Sequence, residues 1–192
     1  MSNEPRTPTL GNQIPTRGNC FSRAVGHLYL KIFGWRVSGE FPNRIKLIAV
    51  IAPHTSNWDF IHGIFAVFAM GLHAHWLGKH TLFNFPFGAV MHWLGGIAID
   101  RRSAHGAVTQ TANALAKADQ MLIGITPEGT RKKVKEWKSG FYHLSVEAKV
   151  PLVLIYFDYP NKTIGIGREF TPSGDFEREF KEIKEYYRDK LG

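Results

Sequence analysis

The chain has 192 residues, 44% of them hydrophobic, and its 24 Lys and Arg against 16 Asp and Glu give a formal net charge of +8. That length and apolar fraction suit one well-buried domain and exclude a fibrous or wholly disordered chain, while the basic balance points to an anionic partner: nucleic acid, an acidic membrane surface or a phosphorylated small molecule. The single cysteine, Cys20, excludes an intramolecular disulfide and a thiolate metal cluster and fits a reducing compartment.

Residues 1–19 are polar and rich in Pro, Gly and Asn, with no apolar core of the kind a secretory signal needs, so a flexible tail is expected there and a single domain over 20–192. The domain opens with an amphipathic helix within 20–36. Phe21, Ala24, Val25, Leu28, Tyr29, Ile32 and Phe33 follow the i, i+3, i+4, i+7, i+8 template. Periodicity does not separate a helix packed on the domain from one lying in a lipid interface with Trp35 and Arg36 at the boundary, and both readings stay open.

From residue 47 apolar runs alternate with helical patterns. In chain order they are strand "LIAVIA" (47–52), a helix from Asp59 to Leu77, strand "GGIAID" (95–100), a helix from Ala104 to Asp119, strand "MLIGIT" (121–126), a helix from Phe141 to Ala148, strand "PLVLIYF" (151–157) and a last strand containing "TIGIG" (163–167). Short, continuously apolar, β-branched strands separated by helices predict an α/β domain with a mostly parallel sheet and helices on both faces. The stretch from Phe60 to Gly78 lacks Asp, Glu, Lys and Arg, but its three histidines and three glycines favour a buried or interfacial helix over a membrane span. Phe176, Phe180, Ile183, Tyr187 and Leu191 place one apolar stripe on a terminal surface helix.

In open α/β sheets ligands bind beyond the carboxyl ends of the strands. Three such ends carry ionisable groups: Pro53 to Asp59 after the first strand, Asp100-Arg101-Arg102 after the second, and Pro127-Glu128-Gly129-Thr130-Arg131 after the third. His54 and Asp59 are five positions apart, about 500° of ideal helix, so they cannot share a helical face. Ser56-Asn57-Trp58-Asp59 reads as a capping box, which puts Asp59 in the first helical turn and lets the preceding loop fold His54 back onto it. A carboxylate on one imidazole nitrogen would free the other to accept a hydroxyl proton, making His54 a candidate general base. With no G-x-S-x-G sequence and Cys20 outside the sheet loops, the attacking hydroxyl is expected to belong to a substrate. After the third strand a glycine turn, a hydroxyl, a carboxylate and a guanidinium suit a polyol phosphate, whereas Lys132, Lys133, Lys135 and Lys138 read as a solvated basic loop.

In this order and at these separations, "HTSNWD", "GGIAIDR" and "PEGTR" resemble the glycerolipid acyltransferase family that includes 1-acylglycerol-3-phosphate acyltransferases; the likeness extends over about 45–170 and takes in "GKHTLFNFPFGAVMHWLGG". The resemblance implies that His54 is the base and Asp59 its orienting partner, that Arg101 and Arg131 bind phosphate, and that Glu128, Gly129 and Thr130 form part of the acceptor pocket, with Lys79 near the acyl carbonyl or a phosphate. It further implies transfer of a fatty acyl group from acyl-CoA or acyl-ACP to a hydroxyl of a lysophospholipid or glycerol-phosphate-type acceptor, without an acyl-enzyme and without a cofactor or metal. Peripheral attachment to the cytoplasmic side of a membrane is expected, through the 21–35 helix, the apolar segment after Asp59 and the basic surface. Pro53, where many members have asparagine, and "VPLVL", which lacks a second proline, depart from the family pattern and bear on the acceptor more than on the reaction.

Three other readings compete. A metal hydrolase would draw on His73, His75, His80 and His92, but residues two apart on a helix point away from each other and no Asp, Glu or Cys lies between 60 and 99. Nucleic-acid binding would explain the charge, yet no helix-turn-helix, zinc-finger or RNP pattern is present. A non-catalytic anionic-lipid-binding protein would need only the amphipathic helix and the basic loop.

Overall fold

The computed structural model describes residues 6–54, 56–99, 104–130, 134 and 136–191. Seven strands form one sheet in the order β1-β7-β6-β2-β5-β3-β4: β1 Arg36–Ser38, β2 Lys46–Ile51, β3 Ala74–Lys79, β4 Gly96–Ile99, β5 Met121–Ile125, β6 Leu152–Asp158 and β7 Thr163–Phe170. β6, β2, β5, β3 and β4 run parallel, β7 is antiparallel to β6, and β1 is parallel to β7. The helices are α1 Cys20–Phe33, α2 Asn57–Met70, α3 Gly88–Trp93, α4 Ala104–Lys117, α5 Gly140–Ala148 and α6 Phe176–Leu191.

The alternation along the central strand β2 sorts the helices into two layers. Leu47 and Ala49 face a core with Leu30 of α1 and Ala66, Ala69 and Met70 of α2, whereas Ile48 and Val50 face Leu115 of α4, Leu144 of α5 and Ile183 and Tyr187 of α6. Both faces are thus covered, as a parallel sheet requires and as the continuously apolar strands predict. Tyr187 has a second function in this layer. Its fully buried hydroxyl donates to Val50 O at 2.5 Å and accepts from Ile155 N at 3.1 Å, bridging β2 to β6 near the ends that carry the site.

Three sequence expectations change. The helix expected from Asp59 to Leu77 stops at Met70: Gly71, at φ 67°, closes α2 in the left-handed conformation that glycine adopts without a Cβ clash, and the chain re-enters the sheet as β3. An unbroken charge-free run concealed that break. With His73 immediately before β3 and His75 within it, their rings approach to 4.8 Å between centroids instead of diverging as they would on a helix.

Residues 6–19, expected as a flexible tail, are held along the body. Ile14 is buried in the α1/α2 core, Arg17 N donates to Gly71 O, His73 N donates to Pro15 O and Val37 N donates to Arg6 O. Two apolar side chains, Leu10 and Ile14, and these backbone hydrogen bonds together dock a segment whose polar composition reads as unstructured.

The third change concerns the stripe on α1, which is divided between two surroundings. Gly26 and Leu30 are buried and Val25 and Tyr29 half-buried against the domain, while Phe21, Leu28 and Ile32 are 76%, 57% and 68% exposed. The helix is capped as a unit by Asn19 and Ser22 at its start and Gly34 at its end.

Tyr187→Phe should lower stability by about 1–3 kcal/mol, because it leaves the Ile155 N–H and Val50 C=O buried without their shared partner. Urea unfolding measures this directly, and an unchanged midpoint would mean that the two strands re-pair without the hydroxyl.

Candidate active site

The parallel register brings the strand-end loops together. Val50 of β2 lies opposite Ile125 of β5, and Ile51 opposite Ile155 of β6. A few residues further on, the chain segments carrying His54, Glu128 and Tyr159 therefore emerge side by side, and Lys79 closes β3 on the far side of β5.

α2 begins as its sequence predicts. Ser56 is the N-cap, its side chain accepts from Trp58 N, and Asp59 at the third helical position accepts at its Oδ2 from Ser56 N at 2.8 Å. The same oxygen lies 3.4 Å from His54 Nδ1, so one carboxylate both caps the helix and meets the imidazole. Asp59 is 2% exposed, whereas the His54 side chain retains 15% and remains reachable. The other carboxylate oxygen, Oδ1, accepts a hydrogen bond from the Tyr159 hydroxyl.

Burial alone would raise the Asp59 pKa, but hydrogen bonds from His54, Tyr159 and the Ser56 amide outweigh it and hold the carboxyl below its usual range. A depressed carboxylate contributes stability above its unfolded pKa that is lost as pH falls through its folded one. Glu128 behaves oppositely. It is 6% exposed, its Oε1 accepts from His54 N at 3.1 Å, and its Oε2 is buried with no hydrogen-bond partner among the described residues. Burial raises its pKa, with its own amide and that of His54 opposing, so this acid is more readily protonated than an ordinary glutamate.

A cavity of about 1400 Å³ opens on these strand ends, and His54, Asp59, Lys79, Gly129 and Thr130 all line it. Most of its remaining wall is apolar, including Ile51, Ile64 and Val67 under α2 and Leu82 and Val108 towards the opposite layer. Glu128 is not part of the lining; its carboxylate instead braces the backbone beneath His54. Gly129 turns the loop at φ 60°, where a Cβ would also meet the Lys138 side chain at 3.0 Å. Arg101 and Arg131 lie outside the described residues, as do Asp100, Arg102, Lys132, Lys133 and Lys135.

Two lining or contacting residues escaped the sequence reading. Lys138, read there as part of a solvated loop, lines the cavity and its N–H donates to Pro127 O. Tyr159 follows β6 directly in "YFDYP", and the strand-end rule, applied to this fourth parallel strand as to the other three, would have found it. Among the described residues no group of three or more His, Cys, Asp or Glu is placed to hold a metal ion.

An open, mostly parallel α/β sheet with a His–Asp pair over an apolar cavity defines a class of enzyme-like folds, and the comparisons narrow it. The family model described as Acyltransferase matches residues 36–158, so the chain belongs to the acyltransferase family. It is 28% identical over 101 residues to "1-acyl-sn-glycerol-3-phosphate acyltransferase beta" of Homo sapiens, a match covering 50% of this chain and 36% of that protein. The aligned part thus spans about a third of that relative's length. The fold is similar to that of the 1-acyl-sn-glycerophosphate acyltransferase PlsC from Thermotoga maritima, with a TM-score of 0.58 and 17% identity over 89% of this chain and 78% of the other.

Glu128 yields a pH-dependent expectation. Between the ordinary glutamate pKa and its raised native value the folded protein keeps a proton the unfolded chain has lost, so stability falls as pH rises through that window. Glu128→Gln retains an oxygen for the His54 amide but cannot ionise. Its stability relative to wild type, from urea unfolding, should therefore improve as pH rises above the ordinary glutamate range; a pH-independent difference would contradict the burial argument.

Proposed function

We propose that this acyltransferase-family protein moves a fatty acyl group from an acyl thioester, carried by coenzyme A or acyl carrier protein, to a hydroxyl of a lysophospholipid or glycerol-phosphate-type acceptor. The observation that carries the reading is His54, partly exposed, set 3.4 Å from a buried, hydrogen-bonded Asp59 on the wall of a largely apolar cavity of about 1400 Å³. The cavity's apolar wall suits an acyl chain, and the polar groups at the strand ends suit the reacting centre and a phosphate.

In this mechanism His54 keeps its Nδ1 hydrogen, which points at the Asp59 carboxylate, and this leaves Nε2 with its lone pair. As the acceptor oxygen attacks the thioester carbonyl, Nε2 takes the hydroxyl proton. Collapse of the tetrahedral intermediate breaks the C–S bond, and the departing sulfur receives that proton from the imidazolium, so no acyl-enzyme forms. Asp59 fixes the ring and stabilises its charged form. Lys79, at the end of β3 on the cavity wall, is placed to attract the carbonyl oxygen or a phosphate. Arg101 and Arg131 are assigned to the acceptor phosphate through the family motifs alone.

Incubation with labelled acyl thioester and a panel of lysolipids, with products identified by mass, tests the reading. Wild type should form an acylated product, His54→Ala should lose about 10²- to 10⁴-fold in rate, and Asp59→Asn should lose less because it only orients and stabilises the imidazolium. Near wild-type turnover in His54→Ala would refute the base assignment. Vesicle binding without turnover on any acceptor would favour a non-catalytic lipid-binding protein.

The outward row Phe21, Ala24, Leu28 and Ile32, together with the +8 charge, supports peripheral contact with an anionic membrane on its cytoplasmic side. No helix of the described residues is long and apolar enough to cross a bilayer. Because Leu28 and Ile32 are exposed, replacing both with Ser should leave the melting temperature unchanged. The partition constant onto anionic vesicles, measured by flotation, should fall by about 100-fold, taking about 1.5 kcal/mol for each of the two side chains as the lower end of its contribution. Turnover should drop on bilayer substrate and persist on detergent-dispersed substrate; undiminished flotation would remove the helix from the membrane contact.

A further inference from the structure

We infer that Tyr159 is a positioning residue for the His54–Asp59 pair: its hydroxyl fixes the outer carboxylate oxygen, so that the inner one stays on Nδ1 of His54. The inference rests on the proposed role of that pair and extends it by one residue, contributed by a loop 100 positions away in sequence.

Its basis is geometric. A carboxylate that is to orient an imidazole must itself be prevented from rotating. Oδ2 of Asp59 is shared between Ser56 N–H and His54, and both of these lie on the loop that leads into α2, the helix that carries Asp59 itself. Among the described residues, the anchor from a distant segment is on Oδ1, through the hydroxyl of Tyr159 just beyond β6. Tyr159 is in turn held by rings: Trp35 packs edge-on at 5.2 Å between centroids and Phe157 lies at 6.5 Å. Although 41% exposed as a residue, Tyr159 has its phenol pKa raised by burial and by the Asp59 charge, so it stays a proton donor through the neutral range.

A tyrosine that merely satisfies a buried carboxylate would affect stability alone. A positioning tyrosine also affects the imidazole, and the sign follows from charge. Tyr159→Phe removes a donor from Asp59 and leaves more negative charge on the carboxylate beside His54, which favours the imidazolium. Among the described residues, the other ionisable groups around the pair include Glu128 under the His54 amide, His62 one turn along α2, and Tyr29, which contacts His62 Nδ1 at 2.9 Å. Burial disfavours the charged form of His62, and none of the three is altered in the variant.

The test combines a substrate-independent measurement with kinetics on the acceptor found in the lysolipid screen. The His54 ring resonance, assigned by its absence in His54→Ala, is titrated by NMR in wild type and Tyr159→Phe. The midpoint should rise by about half a unit or more in the variant, and the acid limb of kcat/KM should move with it. Plateau kcat should fall several-fold to about ten-fold, with KM for both substrates within about two-fold. In the Asp59→Asn background, Tyr159→Phe should have little further effect on kcat, because the residue it acts through is already neutral.

An unchanged His54 midpoint, or a Tyr159→Phe loss in kcat that adds in full to that of Asp59→Asn, overturns the inference even if the variant is less stable. If His54→Ala itself retains turnover, the proposed base fails, and Tyr159 loses its role in acyl transfer whatever the titration shows. An inactive His54→Ala beside an unperturbed Tyr159→Phe removes Tyr159 alone.

Discussion

Asp59 cannot be buried as an ion unless its oxygens are occupied, and meeting that requirement organises the whole site. At 2% exposure the carboxylate has lost nearly all its water, and an unpaired charge there would be neutralised or expelled. Its partners come from three directions: the N-cap amide of its own helix, the imidazole of the preceding loop, and a phenol from beyond β6. Each partner that lowers the cost of burial also fixes the rotation of the carboxylate, so the interactions that stabilise the helix start are those that aim His54.

The sheet is what lets those partners meet. Parallel strands end on the same edge, and β2 lies between β5 and β6, so its carboxyl-terminal loop is flanked by the loops that supply Glu128 and Tyr159. Glu128 supports the backbone amide of His54 while Tyr159 supports its carboxylate partner. The Tyr187 hydroxyl, inserted between β2 and β6 on the face opposite α2, ties together the two strands on which this arrangement depends.

Much of this was legible in the sequence because it depends on local pattern. β2, β4, β5, β6 and β7 were visible as apolar runs, and the capping box Ser56-Asn57-Trp58-Asp59 placed Asp59 in the first turn of α2. What stayed hidden depends on long-range placement. No periodicity distinguishes β3 from the end of α2 inside a run without charge, and the break rests on Gly71 alone. The docking of 6–19 combines two apolar residues with backbone hydrogen bonds to distant segments, and the bond from the His54 amide to Glu128 follows from strand register, which a linear motif does not encode.

The two halves of α1 show why a single hydrophobic stripe resisted assignment. An i, i+3, i+4, i+7 pattern reports only that one face is apolar, and here that face is wider than the contact available to it. α2 crosses so closely at Gly26 that a Cβ there would lie 2.3 Å from the Ala69 backbone nitrogen, which admits Tyr29 and Leu30 to the core and leaves Leu28 and Ile32 on the far side. Tyr29 reaches inward to His62, one turn from Asp59, while its neighbours on the helix face out. The helix is therefore bound to the domain by one edge and free on the other. A protein whose proposed substrates sit in a bilayer can use such a helix to meet the lipid without detaching it from the core that positions His54.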